Sequence, residues 1–373
     1  MQPLAWVLSD LHVRNNDRIW VNRADLLGDT SFALEQASAL IREQPLPVLL
    51  AGDNFETKLQ RADAIAMMRQ FIDTVRETGQ PLWFVDGQHD LSVPPLMQAI
   101  SDWPQHAHKQ VITLGQVAIY GLDYQPVDTV AIELKAIPEQ ADVLLTHQVW
   151  KDLMGEKAGI ASLHDVASVR LVISGDYHHE KFMTVATQRG PLGFLSPGPI
   201  CLQDISEAGE RCIFILNDDL TITRVPLKSR KYVDVTISSD EHLEAFIKLD
   251  PERLYDRTLP PKLQKCLLHL RYPQNKPEYL SRVSRIFGEH VHLFEKPQTV
   301  VSMAVSEQEE LERTTVLSEA ALPEIIAENY NANPIAAQIA IRLVTATSKD
   351  DECQRIFDEL MRGQDDVESV ATR

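Results

Sequence analysis

Five short stretches of this chain end in side chains that bind metal ions. Asp10 and His12 stand two residues apart. Asp53 lies in Gly52-Asp53-Asn54, and Gln88, His89 and Asp90 close the run Asp86-Gly87-Gln88-His89-Asp90. His147 follows Thr146, and Asp176, His178 and His179 sit in Ser174-Gly175-Asp176-Tyr177-His178-His179. A mixture of carboxylate oxygen and imidazole nitrogen suits manganese, iron or zinc better than calcium. Each signal has a plain alternative when taken by itself. An Asp at a strand end is commonly a helix cap, and a lone His is more often packed or exposed than a ligand. The ordered series carries more weight than any member.

Such residues work only if the chain brings them together. The hydrophobic pattern predicts strands at Leu4–Leu8, Val48–Ala51, Leu82–Val85, Val117–Tyr120, Val143–Thr146 and Leu171–Ser174, each bounded by Gly, Asp or His. Helical spacing is expected over Asp29–Glu43 and Leu59–Thr78, where Ala64, Met67, Met68, Phe71, Ile72 and Val75 recur on one face. Gly79 and Pro81 then stop the helix. Alternating strands and helices imply an α/β body, with the candidate ligands at the C-terminal strand ends where α/β sheets collect ligands. In an extended segment residues i and i+2 point the same way, so Asp10 and His12 are expected to face one metal.

A small α+β unit is expected from about Pro226: strands at Tyr232–Ile237, Cys266–Tyr272 and His290–Phe294, with helices at Asp240–Leu249 and Lys276–Phe287. An acidic stretch containing Glu307, Glu309, Glu310 and Glu312 follows, then two short helices, Pro334–Thr347 and Asp351–Arg362. The expected domains are therefore 1–225, 226–300 and 301–373. The 373 residues carry a net charge of −18, an unusual balance for a protein that touches nucleic acid. The charge is uneven: residues 226–300 hold 13 basic and 10 acidic side chains and form the one positive segment. Four scattered cysteines with no CxxC pair read as reduced thiols. No apolar run is long enough for a bilayer and the N-terminus lacks a secretory pattern, so a cytoplasmic location is expected.

The series Asp-x-His, Gly-Asp-Asn-Phe-Glu, Gly-Gln-His-Asp, Thr-His and Gly-Asp-Tyr-His resembles the five motifs of calcineurin-like metallophosphoesterases. Leu195-Ser196-Pro197-Gly198-Pro199, with Asp204 to Glu207 beyond it, is similar to the Pro-Gly-Ser segment of SbcD-type nuclease subunits. Val225-Pro226-Leu227-Lys228-Ser229-Arg230 is similar to the Ile-Pro-Leu-Lys-x-Arg strand that leads to their capping domain. Protein phosphatases instead carry Asp-x-Val-Asp-Arg at the second motif. The resemblance covers about residues 4 to 300, and the chain is shorter than a typical bacterial SbcD, as phage-encoded versions tend to be.

The resemblance implies a sandwich of two β-sheets flanked by helices, with a small α+β capping domain and a C-terminal helix pair. It implies two divalent cations, manganese first and magnesium second. Asp10, His12 and His178 would hold one, and Gln88, His147 and Asp176 the other, with Asp53 bridging. His89 would act on the reacting phosphate without ligating a metal. Asp90 either orients His89 or caps a helix. Two positions depart from the family pattern, which has Asn at Gln88 and His at Asp176, and both put the second metal's affinity in question. His179 is a spare ligand should the register slip by one.

The implied activity is metal-dependent hydrolysis of DNA phosphodiesters, as exonuclease or endonuclease at DNA ends in recombination and repair. The implied partners are DNA, an SbcC-like coiled-coil ATPase bound through the C-terminal helices, and a second copy of the chain. Arg271, Lys276, Arg282 and Arg285 are the candidate DNA contacts, with a solvated helix face as the alternative. Two rival readings stand beside this one: a small-molecule phosphodiesterase of the same superfamily, and a catalytically weak DNA-end-binding or regulatory subunit.

Overall fold

The structure is a computed structural model. It describes residues 2–13, 26–56, 62–155, 158–166, 169–188, 190–202 and 209–298, all within one compact unit, Met1–Val300. The predicted C-terminal helices, the acidic stretch before them and Asp204 to Glu207 lie outside the described residues.

In chain order the elements are β1 (Pro3–Leu8), α1 (Leu26–Glu43), β2 (Val48–Ala51), α2 (Ala62–Glu77), β3 (Leu82–Val85), α3 (Leu96–Ile100) and β4 (Gln105–His106). Then come β5 (Val111–Leu114), β6 (Val117–Leu122), α4 (Val130–Lys135), β7 (Val143–His147), α5 (Lys151–Met154) and β8 (Leu171–Gly175). β9 (Lys181–Thr187), β10 (Gly190–Ser196), β11 (Arg211–Asn217) and β12 (Ile222–Leu227) follow. The last group is β13 (Tyr232–Thr236), α6 (Asp240–Ile247), β14 (Cys266–Pro273), α7 (Glu278–Phe287) and β15 (Val291–Gln298).

Two six-stranded sheets form a mixed α/β body. One runs β12-β11-β1-β2-β3-β4 and the other β5-β6-β7-β8-β10-β9. The period-two pattern decides what each face does. Ala5, Val7, Leu49, Ala51 and Val85 of the first sheet pack against Ile119, Val143, Leu145, Leu171 and Ile173 of the second, closing the interior of the sandwich. The alternate residues Trp6, Leu8, Val48, Leu50 and Phe84 face outward and are covered by α1 and α2 through Ile41, Met68, Phe71, Ile72 and Val75. On the far side Leu144, Val172 and Phe194 pack under Val130, Leu134, Trp150 and Leu163. Strands buried on both faces read as unbroken apolar runs, as parallel-sheet strands do.

β13, β14 and β15 make a separate parallel sheet in the order β13-β14-β15, with its own core of Leu268, Leu270, Phe246, Val283 and Phe287. The segment entering it is fixed to α1. Gln36 donates Nε2 to the Lys228 carbonyl and accepts from the Lys228 amide, both at 2.8 Å. Buried Arg230 donates Nε to Asp29 at 3.1 Å. Among the described residues no helix is long and apolar enough to cross a membrane.

Candidate metal centre

The strand ends converge as follows. β1 releases the chain at Ser9, β2 at Gly52, β3 at Asp86, β7 ends on His147 and β8 on Gly175. The loop after β1 is hydrogen-bonded to the loop after β2: Asp10 N donates to Gly52 O at 3.1 Å, His12 N to Asp53 O at 2.9 Å and Val13 N to Asn54 O at 3.1 Å. Asp10 and His12 are not extended, contrary to the sequence reading. Their φ angles are 49° and 39°, and Asp53 (48°), Asp176 (86°) and His178 (59°) share this left-handed region. These five ligands are thus aimed by sharp local turns, and strand alternation does not set the direction of Asp10 and His12.

Two groups of possible ligands result, Asp10–His12–His178 and Asp10–Asp53–His147, each with its donor atoms within 4.8 Å of one another. Asp53 sits between them, with Oδ2 3.6 Å from His12 Nε2 and 3.3 Å from His147 Nε2. His178 Nε2 lies 3.0 Å from His12 Nε2 and 3.5 Å from Asp10 Oδ1. Asp176 Oδ1 is 3.8 Å from His147 Nε2 and accepts from Gln88 Nε2. All seven sequence-predicted ligands therefore meet in one cluster.

The imidazoles are oriented from behind. His147 Nδ1 lies 2.8 Å from the Ala51 carbonyl, so it carries the proton and leaves Nε2 free to ligate. His12 Nδ1 lies 3.1 Å from Glu56 Oε2, a carboxylate behind a candidate ligand. Sequence reasoning missed this role for Glu56; its acidic type four residues after Gly52 is the available signal. Ser9 Oγ donates to Asp10 Oδ2 at 2.6 Å. Gly87 and Gly175 are required by contact. A Cβ at Gly87 would lie 2.0 Å from Asp53 Oδ1, and one at Gly175 2.4 Å from His147 Nδ1.

The residues fit divalent cations. Asp53 Oδ2, His147 Nε2 and Gln88 Oε1 are buried without hydrogen-bond partners among the described residues. Orphaned polar atoms are costly to bury, and two of these, Asp53 Oδ2 and His147 Nε2, face each other at 3.3 Å inside the cluster. Without a metal, burial alone would raise Asp53, but His147, His12 and His89 outweigh it and hold the carboxyl well below the usual range. For His147 burial acts downward, and the surrounding carboxylates, Asp53 foremost, raise its pKa to about 10. Burial raises Asp176, with His147 and Gln88 opposing it.

His89 is the exposed member, with 41% of its side chain accessible. Its Nδ1 lies 2.7 Å from the Glu56 carbonyl and its Nε2 3.9 Å from Asp53 Oδ2. The proton on Nδ1 is thereby fixed, and Nε2 is turned toward the cluster. Asp90 does not reach that ring by this route. It is buried, and its carboxylate accepts from the amides of Asn54 at 2.9 Å, Phe55 at 2.9 Å and Gly87 at 3.3 Å. Burial, then Asp53, raises Asp90 to about 6 against those three bonds. Gly198, in the Ser-Pro-Gly-Pro segment, backs the fifth motif, since a Cβ there would meet Glu180 N at 3.1 Å. His179 packs on Tyr177 at 5.4 Å.

The candidate DNA contacts are largely engaged. Arg271 pairs with Asp234, Lys276 with Asp240 and Glu278, and Arg282 with Glu244. Arg285 lies exposed on α7.

No protein-family model matches the chain. Over 120 residues it is 27% identical to the SbcD component of the SbcCD nuclease from Staphylococcus saprophyticus, a stretch covering 29% of this chain and 31% of that protein. The chain thus matches under a third of that relative's length. Among solved structures, an archaeal phosphodiesterase aligns over 60% of this chain and 99% of its own at 13% identity, with a TM-score of 0.35. A Thermus thermophilus protein aligns over 61% and 100% at 13% identity, with a TM-score of 0.40. Vps29 from Entamoeba histolytica aligns over 60% and 99% at 14% identity, with a TM-score of 0.30. The chain has a mixed α/β fold with a clustered His/Asp centre. It resembles the SbcD-type members of the calcineurin-like group.

Proposed function

We propose that this chain is a two-metal phosphodiesterase that cuts DNA at or near ends. The carrying observation is Asp53, whose Oδ2 lies 3.6 Å from His12 Nε2 of one ligand group and 3.3 Å from His147 Nε2 of the other. Asp10, His12 and His178 would hold one cation, and His147, Gln88 and Asp176 the other. When bound, such a pair neutralises phosphoryl oxygens and makes water a nucleophile near neutral pH. His89 supplies what the carboxylates cannot. With Nδ1–H held by Glu56 O, a protonated Nε2 can give its proton to the leaving oxygen, work worth about 10²–10⁴-fold. Asp90 positions the Asp53 loop through backbone amides and does not touch substrate.

The metals are assigned as manganese, with magnesium the second choice, because Asp176 and Gln88 add hard oxygen donors. Residues 226–300 would cap the site and guide DNA, and the C-terminal segment would bind an SbcC-like ATPase in the bacterial cytoplasm, with the chain as a homodimer. The support is the partial likeness to an SbcD nuclease component and the local motifs.

One observation favours a second reading, a phosphodiesterase for small substrates. Three of the four candidate DNA cations are already paired with carboxylates of the same small domain. A single experiment separates the two. The full chain is incubated with manganese and either end-labelled duplexes or bis(p-nitrophenyl) phosphate, with and without an SbcC-like ATPase. End-dependent DNA cleavage stimulated by the ATPase is the expected result. Turnover of the small diester with intact DNA would establish the second reading.

A further inference from the structure

A second cluster of ligand-type side chains lies outside the catalytic centre. Asp86 follows β3, His106 ends β4 and Asp123 follows β6, and their donor atoms all lie within 4.8 Å of one another. β3 and β4 belong to one sheet of the sandwich and β6 to the other, so the cluster spans the two sheets at one edge. His106 Nε2 is 2.9 Å from both oxygens of Asp123 and 3.9 Å from Asp86 Oδ2. Its ring is preset, stacked on Phe84 at 4.9 Å and on His108 at 5.8 Å.

The cluster is not satisfied by its own members. Asp86 is 2% exposed, and its Oδ1 is buried with no hydrogen-bond partner among the described residues. Asp123 is bound on both sides: Oδ1 accepts from the Asp86 amide at 2.8 Å and both oxygens face His106. Two buried carboxylates therefore share one imidazole, so ionising both would leave a negative charge without a counter-charge. Buried charges of that kind are costly unless paired or bound to a metal. A divalent cation held by two carboxylates and a neutral imidazole makes the set electroneutral and uses the orphaned oxygen. His106 and His108 are part-exposed, which gives an ion and its waters a way in.

We infer that Asp86, His106 and Asp123 form a third divalent-cation site, separate from the catalytic pair. Its role is structural. It clips the two sheets together and fixes the strand end from which Gln88 and His89 project. The donor set of one nitrogen and two carboxylates suits manganese or zinc. Asp86 is also tied to the Asp123 segment by its carbonyl, which accepts from Tyr124 N at 2.9 Å, so a cation here would lock a junction that is already hydrogen-bonded.

The test is metal content and location in the full chain. Crystals soaked separately in manganese and zinc are read by anomalous scattering, and bound metal is counted by mass spectrometry after gel filtration. The expected result is a peak between Asp86, His106 and Asp123 in at least one soak. His106→Ala should bind one equivalent fewer than the wild type. The anomalous peaks of the variant locate the lost equivalent: loss between Asp86, Asp123 and the substituted position supports the inference, and loss at the catalytic centre alone overturns it. His106→Gln, which keeps a polar side chain, replaces His106→Ala if the latter fails to fold. No peak in either soak, or equal metal content in variant and wild type, overturns the inference and leaves a metal-free ion pair.

Discussion

Gln88 Nε2 lies 2.5 Å from Asp176 Oδ1. These are the two positions at which the chain departs from the SbcD-type pattern, and they are in contact. A longer amide on one side meets a shorter acid on the other, so the two changes read as one compensated exchange. Residues in contact are expected to couple, typically by about 0.5–3 kcal/mol. Asp176→Ala should lose the second metal and most activity. Asp176→His should keep substantial activity and shift preference toward softer metals, and adding Gln88→Asn should recover more than the single changes imply. Titration with manganese and zinc, alongside turnover, reads the wild type, Asp176→Ala, Asp176→His, Gln88→Asn and the double variant. Strict additivity would show that the pair is not coupled.

His89→Ala should lower turnover by about 10²–10⁴-fold with no change in bound metal. Nε2 stands 3.9 Å from Asp53, while Nδ1 is occupied by the Glu56 carbonyl. Calorimetry with manganese and a cleavage assay on one preparation check this. Metal lost together with activity would make His89 a ligand.

Asp90→Ala should act through the fold. Its carboxylate satisfies three backbone amides and the Asn54 side chain, and each donor left buried and unpaired costs about 1–3 kcal/mol. Thermal unfolding should fall by several degrees, with manganese affinity falling alongside. An unchanged melting temperature with lost turnover would instead place Asp90 in the chemistry.

Gly87→Ala should abolish metal binding at the catalytic centre. The added Cβ would sit 2.0 Å from Asp53 Oδ1 and 2.5 Å from Asp53 N, and neither atom can yield while Asp53 holds its place. Metal content by mass spectrometry is the readout, and two equivalents retained would refute the contact.

His292 offers a pH test in the small sheet. Burial, then Arg230 and Lys265, depresses its pKa to about 4 from an ordinary 6.5. The unfolded chain binds the proton first as pH falls, so the fold loses stability from about pH 6.5 down to about pH 4. His292→Gln should flatten the stability curve across that window, measured by urea unfolding. A curve parallel to the wild type would show that His292 is not depressed.

The parallel strands were legible because each is a short apolar run closed by Gly, Asp or His, and Val48–Ala51 and Leu82–Val85 match the predicted ends. β4, β5 and β9 to β11 were not assigned from the sequence, and β12 only through the likeness of residues 225–230 to a strand. Edge strands such as β9 alternate weakly and carry polar residues on both faces, as in Lys181–Thr187. The ligands were legible as types at strand ends. Their aim was not: strand alternation was invoked for Asp10 and His12, and left-handed turns do the work. Partners from distant segments, such as Asp123 beside Asp86, leave no local signal at all.

Those left-handed turns set fold stability against catalysis. Asp10, His12, Asp53, Asp176 and His178 all hold positive φ, a region that suits glycine and costs other residues roughly 1–2 kcal/mol each. The centre is therefore a concentration of local frustration, tolerated because these side chains have a task. Glycine at Asp176 would relax the backbone while deleting a donor, giving a chain that melts higher and catalyses nothing. Selection for stability alone would replace these residues first, so the turns mark the positions at which stability and ligand placement pull in opposite directions.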